Sequence, residues 1–403
     1  MTITAIISEY NPFHNGHLYQ IQEIKKLKPG SKIVAIMSGN YVQRGEPALL
    51  EKYSRAKFAV ESGVDLVLQL PTIYSLQSAE NFALGGLKII KAINCIDYLS
   101  FGIETSNFED LYKTAETQFK NKNILKNLIE KYMIYGRSYA SAYKLATIDL
   151  TNNIPRNDEL FLSNNILALE YLKSTFKLNV KINFLPIKRL GNNYLDEELS
   201  TGKYNSATSI RKNIFDNRID EIGNSIPEKI LEDLKKEPNF PSLNDYYNIL
   251  KYNILVINKN CSSITGYENG LDNLLYKNLL KSKTVNELID LCISKRYKKS
   301  RIQRYLLNYL LDIDKNFIDA SAEQSINYIK VLGFNESGKK ILNKIKNNSN
   351  ISLVTKIKDF KSDNILDKKL FDLEIKSTDL YNINKIIYKH EYEYFPYIKK
   401  PST

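Results

Sequence analysis

Within the first hundred residues, short apolar runs alternate with amphipathic stretches, and this order constrains the fold more than any other feature of the chain. The runs occupy residues 3–7, 32–37, 64–68 and 98–101, with helical patterns between them at 18–27, 54–62 and 79–93. Strands joined through helices pair in parallel, with crossovers of one hand, so the order predicts an α/β doubly wound parallel sheet. Ligands of such sheets sit beyond the carboxyl ends of the strands. The loops at 8–16, 38–46, 69–72 and 102–106 are therefore expected to hold the site.

The first of these loops reads Ser8-Glu9-Tyr10-Asn11-Pro12-Phe13-His14-Asn15-Gly16-His17. It carries two of the chain's three histidines at a strand-to-helix junction, where free backbone N–H groups and the positive end of a helix dipole favour phosphate. Gly16 permits close approach of the backbone to a ligand. A His-x-x-His pair also admits two other readings, a metal site and a solvated helix face. Cys95, Cys261 and Cys292 stand far apart in sequence and only His390 remains, so a Cys/His zinc site is poorly supplied. No metal-ligating residues are expected.

At 403 residues the chain is long enough for two domains, each with its own core. Pro238 and Pro241 mark a boundary, giving segments 1–237 and 238–403, the second mainly helical. No run of eighteen apolar residues occurs, and the sequence opens into a strand, so no membrane partner is expected and the location expected is cytoplasmic. The net charge of +12 favours a polyanion, although richness in Lys, Asn and Ile carries part of it as compositional bias. The charge concentrates at Lys295, Arg296, Lys298, Lys299, Arg301 and Arg304, with Tyr297 among them and no acidic residue. This segment reads either as a nucleic-acid surface or as a solvated helix face.

Between these regions, residues 107–146 read as polar helices, a helix starts near Asp158, and residues 178–185 alternate like a strand that runs into Pro186-Ile187-Lys188-Arg189. Ser206-Ala207-Thr208-Ser209-Ile210-Arg211-Lys212 then places hydroxyls just before a helical Ile-Arg pair. Such hydroxyls form an N-cap cluster.

Together the two motifs resemble the HxGH nucleotidyltransferase superfamily, and several further stretches are similar to one of its families, the tRNA(Met) cytidine acetate ligases. The similarity rests on Glu9 to His17, on Met37-Ser38-Gly39-Asn40-Tyr41-Val42-Gln43-Arg44-Gly45-Glu46-Pro47-Ala48, on Gly63-Val64-Asp65-Leu66-Val67, on Phe101-Gly102-Ile103-Glu104, on Asn164-Asn165-Ile166-Leu167 and on Ser206 to Arg211. It is weaker in the helical second half. Ser163 stands where the family pattern has proline, and Gly102-Ile103-Glu104 where it has Gly-Ser-Glu.

The resemblance implies a Rossmann-like doubly wound sheet followed by a mainly helical C-terminal domain that binds tRNA. It implies that acetate attacks the α-phosphate of ATP, and that the acetyl-adenylate then modifies the wobble cytidine of elongator tRNA(Met). The cofactors implied are ATP with Mg2+; the partners are tRNA and acetate, with no DNA. His14, His17 and Arg211 would act on the phosphates. The ATP site would comprise Ile7, Ser8, Glu9, Tyr10, Asn11, Pro12, Phe13, His14, Asn15, Gly16, His17, Leu18, Tyr19 and Gln20, then Gly102, either or both of Asn164 and Asn165, Arg189, Ser206, Thr208 and Ser209. Arg44 and Lys52 would guide a polyanion or acetate, with a structural salt bridge from Arg44 to Glu46 or Glu51 as the alternative for that arginine. Two competing readings share these motifs: a small-molecule adenylyltransferase of the phosphopantetheine or mononucleotide type, and a catalytically silent RNA-binding protein on the same scaffold.

Overall fold

The computed structural model describes the chain except for residues 106, 152–157, 191–198, 200–201, 295 and 401–403. Its strands are β1 (Ile3–Ser8), β2 (Lys32–Ser38), β3 (Tyr41–Val42), β4 (Glu46–Pro47), β5 (Leu66–Leu70), β6 (Tyr98–Ile103), β7 (Asn183–Lys188), β8 (Tyr328–Phe334), β9 (Ser352–Val354) and β10 (Tyr397–Ile398). The main sheet runs β10-β8-β5-β2-β1-β6-β7, with β9 beside β8, while β3 and β4 form a separate small hairpin. Strands β5, β2, β1, β6 and β7 are mutually parallel, and their order reverses direction at β1. A crevice opens at such a reversal because the crossovers on either side leave in opposite directions.

The strands are apolar throughout because both faces of the sheet are covered. In β2, Val34 and Ile36 pack into one core while Ile33, Ala35 and Met37 pack into the other. The helix Ala79–Ile93 closes the first face with Phe82, Ala83, Leu87 and Ile90, and the helices Asn15–Leu27 and Lys52–Glu61 close the second with Ile21, Ile24, Phe58 and Val60.

Two expectations change. The helix Ser163–Leu178 runs to its left-handed cap at Asn179 (φ 50°), so β7 begins at Asn183 rather than at residue 178. The segment after residue 238 is mainly helical, yet it sends β8, β9 and β10 into the sheet, with β8 antiparallel to β5. The first core likewise continues into Leu306, Leu310 and Phe371. The change near residue 238 is thus one of secondary-structure content, with the packing continuous across it.

This arrangement seals one of the anticipated loops. Glu374, on the helix Ile365–Asn382, accepts from the Thr72 backbone N–H at 2.5 Å and from the Thr72 hydroxyl at 2.9 Å, and it also accepts from the Gln69 amide. The loop at 69–72 is therefore closed to ligand. Lys52 is buried too, paired with Glu391 at 2.9 Å, so it holds the C-terminal segment and does not guide an anion. Among the described residues, no helix is long and apolar enough to cross a membrane.

Candidate active site

The loop after β1 folds back so that the helix Asn15–Leu27 begins with His14 as its N-cap. Nδ1 of His14 accepts the Gly16 N–H at 3.0 Å, and Nδ1 of His17 accepts the His14 N–H at 3.2 Å. Two histidines thus form the reciprocal cap that Ser and Glu usually form. Their rings stack with centroids 3.8 Å apart. A Cβ on Gly16 would lie 2.9 Å from the His14 ring, so only glycine lets that imidazole curl back over the first turn.

The cap fixes the tautomers. With both Nδ1 atoms accepting backbone N–H groups, each Nε2 carries the ring hydrogen and is a donor. Burial, with the guanidinium groups of Arg189 and Arg211 nearby, pushes His14 down to about 3. Burial, His14 and Arg189 hold His17 well below its ordinary value. Both rings are neutral donors at neutral pH.

A cleft with an empty volume of about 1140 Å³, open mouth included, spreads in front of this pair at the reversal in strand order. Ile7, Ser8, Glu9, Tyr10, Asn11, His14, Gly16, His17, Tyr19, Gln20, Gly102, Asn164, Arg189 and Arg211 all line it. Of the other residues anticipated, Pro12 and Phe13 are buried beneath the loop, while Asn15 turns away to donate to the Asn224 carbonyl at 2.8 Å. Leu18 is half-buried against the second core.

The two candidate asparagines separate. Asn164 faces the cleft, donating to Glu104 at 2.8 Å and accepting from Arg189 at 3.0 Å. Asn165 is fully buried, accepting the Glu104 N–H at 2.8 Å and donating to the Glu159 carbonyl at 2.6 Å, which fastens the helix to β6. The hydroxyls divide similarly. Ser206 and Ser209 are buried in their own helix cap, Ser206 Oγ accepting the Ser209 N–H at 3.0 Å, whereas Thr208 faces an adjacent cleft. Arg211 donates to the Asn11 carbonyl at 2.9 Å and lies 3.7 Å from the Glu46 carboxylate.

Asn11 Oδ1 accepts the Leu49 N–H at 2.8 Å while its Nδ2 is buried without a hydrogen-bond partner among the described residues. An orphaned amide donor on a cleft wall marks a place for an acceptor atom of a ligand. Glu9 accepts the Gln43 N–H at 2.6 Å. Burial raises its carboxyl above the usual range, against the pull of that N–H and of Arg211, Arg44 and Arg55. Among the described residues no group of three His, Cys, Asp or Glu side chains is placed to hold a metal ion.

The sequence reading missed the apolar floor of the cleft: Phe82, Phe101, Leu167, Tyr171 and Ile187. Leu167 and Tyr171 stand three and seven positions after Asn164, on one helix face, and that spacing is the signal that could have found them. The floor suits a flat aromatic ring, and the wall of donors above suits a polyanion. The basic segment is less available than its composition suggests. Arg296 and Arg301 both pair with Glu268, Arg296 at 2.6 Å, and Tyr297 is buried between them. Arg304 points inward to the Gln43 carbonyl at 3.2 Å. Lys298 and Lys299 are exposed, and Lys295 lies outside the described residues.

A family model described as HIGH Nucleotidyl Transferase matches residues 1–394. A Thermoanaerobacter sp. (strain X514) protein named tRNA(Met) cytidine acetate ligase is 40% identical over 387 residues, 95% of each chain. A protein of the same name from Clostridium perfringens is 37% identical over 389 residues, again 95% of each. Among solved structures, apo Thermotoga maritima TmcAL superposes with a TM-score of 0.91 at 29% identity, covering 99% of this chain and 100% of that one. The same protein bound with alpha-thio ATP gives a TM-score of 0.89 at 30% identity over the same shares. On its sheet order, its paired-histidine cap and these similarities, the chain belongs to the tRNA(Met) cytidine acetate ligase family of HIGH nucleotidyl transferases.

Proposed function

We propose that the chain uses ATP and acetate to acetylate the exocyclic amine of the wobble cytidine in elongator tRNA(Met). The observation that carries this reading is the reciprocal cap of His14 and His17, which presents two neutral Nε2–H donors at a helix N-terminus. ATP would lie with adenine on the Phe101, Leu167 and Ile187 floor and its phosphates over the histidines. An acetate oxygen attacks the α-phosphorus, the bond to the bridging oxygen breaks, and pyrophosphate leaves. Negative charge grows on oxygens that His14, His17, Asn11 and Arg211 are positioned to receive, so electrostatics and alignment supply the catalysis without a protein nucleophile. The cytidine N4 then attacks the acetyl carbonyl carbon, the carbon–oxygen bond to phosphate breaks, and AMP and one proton depart.

Mg2+ suits the triphosphate of ATP, and Glu9 is the carboxylate of the cleft wall that could approach it. The ion would partly neutralise the phosphates and would be held chiefly by them, as this small octahedral cation commonly is. Segment 238–403 would face the tRNA, and the enzyme would work in the cytoplasm, in keeping with three free cysteines among the described residues.

The test is incubation with labelled ATP plus acetate, or plus a panel of phosphate acceptors, with and without bulk tRNA. The expected result is acetate-dependent ATP/pyrophosphate exchange without tRNA, and N4-acetylcytidine with it. Adenylated phosphopantetheine or mononucleotide would instead identify a small-molecule adenylyltransferase. No product under any condition would identify a silent RNA-binding scaffold.

A further inference from the structure

A second cleft, with an empty volume of about 1460 Å³ including its mouth, lies against the first, and Arg211 lines both. The two clefts therefore meet at Arg211. The outer walls come from elements remote in sequence: the β3–β4 hairpin, the helix Ala207–Phe215, the loop at 240–244, Asn286, and the helix Lys299–Leu311. We propose that this second cleft receives the acceptor nucleobase, a pyrimidine presented by single-stranded RNA, so that its amine meets the acyl group activated on the other side of Arg211. The proposal rests on the function argued above and names where its second substrate enters.

The walls of the cleft carry groups that suit a base. Glu46 and Asp216 lie on this cleft beside Arg211, Lys212 and Lys299, a mixed lining that offers carboxylates to an amine donor and cations to the phosphates flanking it. Phe215 is 48% exposed at the end of its helix, so the core does not depend on it, and Phe240 stands on the same wall. Single-stranded bases bind by stacking on such rings while their edges are read by amides.

The amides are already oriented. Asn244 Oδ1 accepts the Asn286 N–H at 3.0 Å, which leaves its Nδ2 as the donor for ring acceptors such as O2 and N3 of cytosine. Gln303 donates Nε2 to Glu46 at 3.1 Å, which leaves its carbonyl oxygen as an acceptor for an exocyclic amine. Lys299, exposed on the rim, suits a flanking phosphate.

The hairpin is seated firmly enough to serve as a wall. Gly45 has φ +82°, and a Cβ there would come within 2.4 Å of the Arg304 backbone nitrogen. Backbone thus packs on backbone where β3 turns into β4.

The experiment measures the two half-reactions separately in the full-length enzyme carrying Phe215→Ala, Phe215→Tyr or Phe240→Ala. Acetate-dependent ATP/pyrophosphate exchange reads the first cleft. Transfer of labelled acetate to tRNA reads both. Phe215→Ala is expected to leave exchange unchanged and to lower kcat/KM for tRNA by about 5- to 140-fold, the loss of one base–aromatic stack, with recovery in Phe215→Tyr. Parallel loss of exchange and transfer would assign the cleft to ATP, and unchanged transfer in both alanine variants would leave it without a role; either overturns the proposal. Absence of exchange in the unmodified enzyme would instead overturn the parent reading, and the cleft assignment with it.

Discussion

The guanidinium of Arg55 donates to the main-chain carbonyl of Glu9 at 2.5 Å, from a position with no solvent exposure. The same group reaches the Leu50 carbonyl at 2.9 Å, the Ser38 carbonyl at 3.2 Å and the Gly39 carbonyl. One buried cation therefore ties together the loops that follow β1 and β2 and the entry to the helix Lys52–Glu61. Burial lowers its pKa to about 10, which still leaves it charged at neutral pH. Arg55→Ala would strand several carbonyl oxygens at once and should cost about 3 kcal/mol, since each orphaned buried acceptor carries a desolvation penalty. Urea denaturation measures this, and a loss under about 1 kcal/mol would show that the loops hold each other without Arg55.

In the proposed mechanism, His17→Ala removes a donor from the place where phosphate charge grows. The exchange rate is expected to fall about 100- to 1000-fold with the fold intact. Exchange at the rate of the unmodified enzyme would remove His17 from the mechanism.

The histidine pair also has a pH signature. In the folded protein His14 takes a proton only near pH 3, whereas the unfolded chain takes it near the ordinary value of about 6.5. Between those values the unfolded state binds the extra proton, so the pair's contribution to stability is full above about pH 6.5 and declines as pH falls toward the folded value. Imidazole NMR signals of His14 and His17 should stay fixed between about pH 6 and 8 in the free protein. A midpoint inside that range for either ring would contradict the neutral cap.

Asn164 and Asn165 are adjacent in sequence but predict opposite phenotypes. Asn164→Ala removes the link between Glu104 and Arg189 on the cleft wall, so KM for ATP should rise about tenfold, roughly one charge-assisted hydrogen bond, with stability little changed. Asn165→Ala breaks two buried bonds and should cost about 1–3 kcal/mol of stability while leaving KM near its original value. ATP titration of exchange and thermal melts of both variants decide the matter; the reverse pattern would exchange their roles.

Much of the fold was legible because it is local. The β1 run, the His14 junction and the helix Ala79–Ile93 are each specified by residues within one element and its cap. What escaped depends on partners distant in sequence. Lys330 interrupts the apolar run of β8, a strand the sequence analysis does not anticipate, and it is buried because Glu391, 61 positions later, pairs with it. Lys52 misleads through the same carboxylate. At the site, His14, His17 and Gly16 could be read from a junction rule. The choice of Asn164 over Asn165 as the cleft residue depends on helix rotation against β6, which spacing alone leaves open.

The basic segment makes a divided prediction about tRNA. Arg296 and Arg301 share Glu268, and Arg304 is consumed by the Gln43 carbonyl, so among the described residues of this segment the positive charge offered outward is chiefly that of Lys298 and Lys299. Removing one lysine–phosphate ion pair should reduce the slope of log affinity against log salt by about one. The pair Lys298→Glu and Lys299→Glu is therefore expected to weaken tRNA binding and to flatten that slope by about two, leaving exchange unaffected. Arg304→Ala should do the opposite: it leaves the salt slope alone and loosens the hairpin that holds Gln43 and Glu46, lowering the melting temperature and the exchange rate. Filter binding across a salt series, run beside thermal melts, separates the two classes. An unchanged slope in the double reversal would move the tRNA footprint away from this helix, and a flattened slope in Arg304→Ala would return that arginine to the RNA surface.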